Sequence, residues 1–512
     1  MEKGLFRGNL IRVLCAALCG VAASLGFFFP LAYIWTALGF LGLIYLLVEE
    51  KEAKKGAFLS YVFGLGYFAT GLSWVFKAVY VYGNAPWLFA FLSVLALAAV
   101  LSIFAGVVGF LAVKISLPIS LKASLLIPLL WVASEFLRGE WICSFGWLTV
   151  GYAFIDSLFA SYAPIFGAYG ITLAVLCTVG GAAAVLMRTG SKVGRTVAGF
   201  ISALIVLGAY GLSDVNWSEP ASKLEVRLIQ PDLPVTTRAT FSAQIASLER
   251  VRAMSVASPM GSSLDLIIWP ESVYMALPRF LPENLRNVPK EVAKLQASEV
   301  LYNAFTEPEK GKIGNSLILA TPEGEKVIYS KRHLVPFGER VPFGFRWLIN
   351  ALGIPMADQT AGATPSGAIQ IAGKTAALGI CYENLFAGEL RDWFKASNPE
   401  VIIYTANLGW FSECASFQFT QMSRMRAKES ARVVLQTVNN GGSAVIGAKG
   451  EILREAKAGA QNLDASLRLT QGELTPFMQY GFWTLFGLGI FFFFVIVAFC
   501  TFRRHFSRKS SA

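Results

Sequence analysis

Seven apolar runs crowd the first 213 residues, and an eighth lies near the end of the chain. They fall at roughly 9–29, 31–48, 57–76, 87–113, 122–138, 163–187, 197–213 and 479–502. A helix needs about 20 mostly apolar residues to cross a bilayer core. Each run therefore reads as a transmembrane helix, giving about eight spans. Charged residues are correspondingly scarce, at 15% of 512 positions, where soluble domains carry about a quarter. The stretch 139–162 is different, because Gly146, Gly151, Asp156 and Pro164 interrupt or flank it. It reads as a partial or re-entrant segment, which is tolerated only where protein shields its backbone.

The positive charges orient these spans. Lys3, Arg7 and Arg12 precede or open the first. Lys51, Lys54 and Lys55 follow the second, and Lys114 and Lys122 flank the loop after the fourth. Arg188, Lys192 and Arg195 follow the sixth, and Arg503, Arg504, Arg508 and Lys509 follow the eighth. With eight spans all five clusters share one side, and short Lys/Arg-rich loops stay cytoplasmic. The stretch 214–478 then faces the outside, and both termini are cytoplasmic. The net charge of +11 is thus a matter of topology. Nucleic-acid binding would need those residues clustered on one folded surface. The N-terminal run has the basic start of a signal peptide, but further spans follow at once, so it reads as an uncleaved first span.

The expected organisation is a transmembrane bundle over 1–213, a water-facing domain over 214–478, and a last span with a basic tail over 479–512. From Leu224 onward the pattern changes to short β-like runs near 224–229, 264–269, 298–304, 316–320, 326–330, 375–380, 400–405, 433–438 and 443–447. Helical patterns lie at about 241–255, 284–297, 385–396 and 416–431. Pro322–Glu325 and Ala448–Glu451 read as hairpin turns. Strands alternating with helices predict a layered α/β domain.

Counting narrows the chemistry. This domain holds one histidine, His333; the other in the chain, His505, lies in the tail. Zinc sites built from several His and Cys ligands are nearly excluded, and no glycine-rich phosphate loop follows a strand. Neither a metal nor a cofactor is expected. Of seven cysteines, Cys15, Cys19, Cys177 and Cys500 lie in spans and Cys143 in the broken segment. Cys381 and Cys414 lie in the water-facing domain. They can form a disulfide in an oxidising compartment, which would disable either as a nucleophile.

Three segments carry reactive groups at strand ends. Ile267-Ile268-Trp269-Pro270-Glu271-Ser272 ends an apolar strand on a carboxylate. Tyr329-Ser330-Lys331-Arg332-His333-Leu334-Val335-Pro336-Phe337-Gly338-Glu339 places a lysine after another. Leu378-Gly379-Ile380-Cys381-Tyr382-Glu383 runs a third into a thiol. Taken singly, each reads as readily as a solvated turn carboxylate, a surface basic pair, or a structural cysteine. Together they offer a base, a cation and a nucleophile. A nearby cation favours thiolate, a carboxylate can take its proton, and the sulfur can then attack a carbonyl.

In order and spacing, with 60 residues from Glu271 to Lys331 and 50 more to Cys381, these segments resemble the Glu-Lys-Cys pattern of the nitrilase superfamily. With about seven spans before the domain and one after, the chain resembles the membrane-embedded branch, the apolipoprotein N-acyltransferase family. Trp131–Gly139 and Phe145–Leu148 are similar to that family too. The resemblance implies a nitrilase-like αββα sandwich beside the helical bundle, in the inner membrane of a bacterium with its catalytic domain on the periplasmic side. It implies that Cys381 takes an acyl chain from a phospholipid as a thioester. The chain then passes to the amino group of a diacylglyceryl-cysteine on an apolipoprotein. Glu271 would be the general base. Lys331 would hold the oxyanion, helped by the Tyr382 N–H, and Glu339 and Glu383 would orient the site.

Other residues are expected at the lipid approach. The segment 341–349 is unusually apolar for a loop, so Phe343, Phe345 and Trp347 are expected to gate lipid entry. Trp147 and Trp410 are placed there as well. Glu135 and Arg138, spaced i, i+3, can pair on one helix face, as a snorkelling pair or a headgroup contact. Two positions depart from the family pattern: Leu408 stands where an Asp is usual, and Ala239 near a usual tryptophan. Two rival functions remain at this stage. One is a membrane-tethered amidase with the same three groups. The other is a transporter or scaffold with a non-catalytic domain, although intramembrane charges are few for an ion-coupled carrier.

Overall fold

The computed structural model describes residues 2–490 and Phe494, apart from 189, 236–239, 259–262, 342–343, 345 and 352–357. Seven helices lead the chain: α1 Glu2–Ser24, α2 Tyr33–Val48, α3 Ala53–Gly71, α4 Trp87–Lys114, α5 Ile119–Ile142, α6 Leu158–Leu186 and α7 Lys192–Ser213. Five described helices, Gly8–Phe27 and α4 to α7, are long and apolar enough to cross a membrane. A sixth is made if α3 is counted with Val75–Tyr82, to which it is bent by 61°.

Among the described residues these are five or six of the expected spans, which number about eight. The run 31–48 forms α2, an apolar helix of 16 residues that is shorter than those five. The run 479–502 lies mostly outside the described residues. Between α5 and α6 the chain is irregular but shielded: Trp147, Leu148, Tyr152 and Phe154 are all buried. Helix α6 is broken at Gly167, whose φ is +66°. A side chain there would collide with the Phe477 ring, so the break requires glycine.

Two six-stranded sheets follow. The first has β1 Glu219–Gln230, β2 Leu266–Ile268, β3 Glu299–Glu309, β4 Lys312–Ala320 and β5 Glu325–Ser330. The second has β6 Ile369–Ile371, β7 Lys374–Ile380, β8 Val401–Ala406, β9 Val433–Val438, β10 Ala444–Ile446 and β11 Ile452–Glu455. The last strand, β12 Gln461–Gln471, returns to the first sheet and pairs antiparallel with β1. The orders are β12-β1-β2-β3-β4-β5 and β11-β10-β9-β8-β7-β6. The middle of each sheet is parallel: β1, β2 and β3 in one, β7, β8 and β9 in the other.

The sheets pack face to face. Leu224, Val226, Leu228, Leu266 and Leu301 of one meet Ala376, Leu378, Val401, Val433 and Ile446 of the other in one core. Helices α8 Phe241–Val256 and α9 Val288–Gln296 cover the first sheet through Leu248, Val251 and Val292. Helices α10 Ala387–Ser397 and α11 Glu413–Ser430 lie on the second. The four layers make the αββα sandwich that the family resemblance implies.

The sandwich and the membrane helices share a core. Trp74, Trp131 and Trp147 from the helical part pack in one cluster with Phe419, Met422 and Met425 of α11. Gln418 ties this seam with hydrogen bonds. Its Oε1 accepts from the indole N–H groups of Trp74 at 3.0 Å and Trp147 at 2.5 Å, and its Nε2 donates to the Gly71 carbonyl at 3.0 Å. Deeper in the seam Glu429 accepts from the Ala168 N–H, freed by the break in α6, at 2.9 Å and pairs with Arg426 at 3.0 Å. Replacing Gln418 by Leu strands two buried indole donors, each costing about 1–3 kcal/mol. Gln418→Leu is expected to lower the unfolding midpoint of the detergent-solubilised protein by several degrees, read by thermal scanning. Unchanged stability would show that the seam does not depend on this residue.

Candidate active site

Three strand ends converge on one buried cluster. Glu271 follows β2, Lys331 follows β5 and Cys381 follows β7. Strands β2 and β7 run parallel to their neighbours, and the ends of such strands leave a crevice where side chains can meet.

The Lys331 ammonium is 1% exposed and lies between two carboxylates. Its Nζ is 2.8 Å from Glu339 Oε1 and 3.7 Å from Glu271 Oε1. Burial disfavours this charge, but Glu271 and Glu339 outweigh burial and push the pKa above the usual lysine range. The group is therefore a fixed cation. Glu339 is itself anchored, since its other oxygen accepts from the Val335 N–H at 2.8 Å.

Glu271 is held at both oxygens. Oε1 accepts from Asn315 Nδ2 at 2.9 Å, and Oε2 from the Asn407 N–H at 3.1 Å. Burial is the largest influence and raises its pKa, with Lys331 opposing. Asn315 is in turn oriented by Asn303 Nδ2, which donates to its Oδ1 at 2.5 Å. Burial also pushes the Cys381 thiol up, with the Glu271 carboxylate adding to this and Lys331 opposing it. The Glu271 carboxylate thereby favours the protonated thiol. Sulfur thus keeps its proton at neutral pH, next to the carboxylate that can take it.

Backbone geometry presents the sulfur. Cys381 has φ of +52°, an uncommon conformation for a residue with a side chain. Glu383 stabilises this turn. Its Oε2 accepts from the Ile380 N–H at 2.7 Å. Its Oε1 accepts from the Tyr329 hydroxyl at 2.8 Å and from the N–H groups of Arg332 at 2.6 Å and His333 at 3.1 Å. One carboxylate therefore binds the loop after β5 to the loop after β7, and so sets Lys331 relative to Cys381.

His333 takes no part in the cluster. It stacks on Phe386 with ring centroids 3.6 Å apart, and its Nδ1 lies 3.1 Å from Glu389 Oε1. Cys381 and Cys414 are free thiols, which removes the disulfide alternative; Cys414 Sγ is 3.0 Å from Ser412 Oγ. Tyr382 reaches across the seam, and its hydroxyl donates to the Ser144 carbonyl at 2.8 Å.

The other expected residues divide. Trp347 is 68% exposed, while Phe343 and Phe345 lie outside the described residues. Trp410 packs edge-on against Tyr82 at 5.1 Å, in a loop whose Gly409 carbonyl accepts from the Tyr82 hydroxyl. Glu135, Arg138 and Trp147 are buried and face no lipid surface. Glu135 and Arg138 have separate partners rather than each other. Glu135 accepts from Trp131 Nε1, the Val150 N–H and the Thr172 hydroxyl, and Arg138 donates to the Phe145 and Trp147 carbonyls at 2.6 Å. They brace the irregular segment after α5.

Reading the sequence alone missed Asn315, Asn303 and Asn407. A signal existed for the first two, because each is a polar residue inside an otherwise apolar strand. Leu408, the departure from the family pattern, is buried in the seam core. The loop still turns, because Asn407 Oδ1 accepts from the Gly409 N–H at 3.2 Å. Ala239 lies outside the described residues.

Comparison with known proteins agrees with this architecture. Residues 19–181 match the model of the apolipoprotein N-acyltransferase N-terminal domain, and residues 228–474 match that of carbon-nitrogen hydrolases. An apolipoprotein N-acyltransferase from Ralstonia nicotianae is 30% identical over 93% of this chain and 91% of its own. The chain belongs to the apolipoprotein N-acyltransferase family. Relatives of the same name from Methylococcus capsulatus, at 31% identity over 90% of this chain and 91% of theirs, and Vibrio vulnificus, at 30% over 95% and 96%, are similar along nearly their whole length. Among solved structures, a carbon-nitrogen hydrolase from Helicobacter pylori G27 covers 48% of this chain and 88% of its own at 16% identity, with a TM-score of 0.36. Membership in the apolipoprotein N-acyltransferase family makes this chain an acyltransferase of the membrane.

Glu383 supplies a pH test of the cluster. Burial, then Glu389, outweigh its four donors and hold its pKa up to about 7. A carboxyl raised on folding stabilises the fold below its unfolded value, near 4.5, and that stabilisation is lost as pH rises through about 7. Glu383→Gln cannot titrate. The stability advantage of the wild type over this variant should therefore shrink between pH 4.5 and 7 in thermal scans. A constant difference would mean that Glu383 does not titrate in this window.

Proposed function

We propose that this enzyme moves a fatty acyl chain from a phospholipid to the amino terminus of an apolipoprotein through a thioester on Cys381. The observation that carries this reading is the convergence of Cys381, Glu271 and Lys331 beside the seam with the membrane helices. Tyr382, the residue after the thiol, is bonded to Ser144 of the membrane part. Two lipid-anchored substrates require a nucleophile at such a place. The names of the relatives supply the acceptor class.

In the first half-reaction Cys381 Sγ attacks the ester carbonyl while Glu271 takes the thiol proton. Lys331 and the Tyr382 N–H receive the oxyanion. As the tetrahedral species collapses, Glu271 returns the proton to the leaving alkoxide and lyso-phospholipid departs. In the second half the α-amino group of the diacylglyceryl-cysteine attacks the thioester, Glu271 accepts its proton, and the amide forms as the thiol is restored. One site thus serves both substrates in turn, a ping-pong scheme. Glu339 positions Lys331, and Glu383 positions the turn that carries Cys381.

With α2 and the run 479–502 both counted as crossing the membrane, the five Lys/Arg clusters support an orientation with the termini in the cytoplasm and the sandwich outside the inner membrane. The exposed indole of Trp347, on the short helix Arg346–Ala351, supports a lipid-contacting segment there.

Intact mass after incubation with phospholipid tests the intermediate. Wild type should gain one acyl mass, Cys381→Ser none, and a diacylglyceryl peptide should remove the adduct while gaining the chain. An adduct lost to water alone, with no acylated peptide, would favour an amidase, and no adduct at all would defeat the thioester. Glu271→Gln should slow adduct formation by about 10²–10⁴-fold, the usual worth of a positioned base. Trp347→Ser is expected to lower kcat/KM for phospholipid several-fold at unchanged stability; equal kinetics would remove the loop from lipid entry.

A further inference from the structure

A cavity of about 400 Å³ opens where α7 hands the chain to β1, and it shares no residue with the cluster around Cys381. Leu212, Val215 and Trp217 form its apolar side, and Lys428, Lys449 and Arg468 its charged side. Among its described lining residues Glu451 is the one carboxylate, and it already accepts from the Lys449 N–H at 3.0 Å. Burial pulls the Lys428 ammonium below its usual range, with Glu451 opposing and Arg424 and Lys449 adding to it.

The depth of the cavity suggests what covers it. Helix α7 exposes Leu204, Leu207 and Tyr210 along its length and ends at Ser213. The cavity therefore lies at the level where a bilayer changes from hydrocarbon to headgroup, and Trp217 is the residue type favoured there. Along the same helix the seam between α6 and α7 opens into a groove of about 600 Å³, lined by Ala182, Gly199, Ala203, Val206 and Leu207. From Leu212 to Gly199 is about 20 Å of helix, enough to cross one leaflet of a core about 30 Å thick.

We propose that the cavity and the seam groove together bind an anionic glycerophospholipid. Its phosphodiester lies among Lys428, Lys449 and Arg468, and one acyl chain follows the groove between α6 and α7. The excess of cations over carboxylate selects a headgroup without a compensating ammonium. The site is independent of the reaction at Cys381, and its lipid is retained rather than consumed.

The test uses the full chain in detergent and native mass spectrometry. The probe is a dialkyl-ether phosphatidylglycerol, which has no ester for a thiol to attack. Ether analogues of phosphatidylcholine and inorganic phosphate serve as comparisons. The expected result is retention of phosphatidylglycerol over phosphatidylcholine, weakened at least about tenfold in the double variant Lys449→Ala/Arg468→Ala. Both replaced side chains are exposed, so the variant should keep its lipid-free melting temperature. Ala203→Trp, which fills the groove from the lipid side, should weaken the lipid but not inorganic phosphate. Equal binding by wild type and the double variant would overturn the proposal. So would inorganic phosphate displacing the lipid at comparable concentration, because the cavity would then be reading free phosphate.

Discussion

The buried ammonium of Lys331 is the interaction on which the site depends. An unpaired lysine at this depth would lose its charge or unfold its surroundings. It keeps its charge because Glu271 and Glu339 close on it from two loops. Each carboxylate is fixed in turn by donors that leave it little freedom: Asn315 and the Asn407 N–H for Glu271, the Val335 N–H for Glu339. The thiol of Cys381 completes this arrangement. With a fixed cation and a carboxylate beside it, sulfur can stay protonated at rest and still lose its proton as a bond forms.

The membrane helices act as a wall of this site as well as an anchor. Tyr382 is bonded into the segment after α5, Trp147 packs parallel to its ring at 6.4 Å, and Gln418 holds the Trp147 indole. Glu135 and Arg138 hold that segment from below by bonding its backbone. Irregular backbone at this depth needs such partners, because no water replaces them. A chain of polar contacts therefore runs from the membrane helices to the residue after the nucleophile.

Much of the sandwich was legible because its strands are short, apolar and bounded by turns. The nine strands and four helical stretches read from pattern all form, although the stretch 284–297 divides into two helices, Glu283–Arg286 and Val288–Gln296. Strands β6 and β11 were missed because they are short, exposed edges that bury little. Strand β12 was missed although its Leu463, Ala465, Leu467 and Leu469 alternate inward. Period-two alternation diluted by Asp464 and Arg468 is easily taken for a polar loop. In the membrane part, hydropathy marked each run, but it did not report that α2 has only 16 residues or that the chain bends by 61° after α3.

By itself, the sequence determined where apolar runs and strand ends fall, and hence that a base, a cation and a thiol each end a strand. It also determined the family, because order and spacing survive where geometry is hidden. Only the tertiary structure decided which of these groups touch. Sequence proximity suggested that Glu135 pairs with Arg138, whereas packing gave each a different partner. Asn315 and Asn407 became supports of Glu271 across 44 and 136 residues. The reason is physical: a strand's pattern records which face is buried, but a buried charge takes whichever partner the completed fold brings within hydrogen-bonding distance.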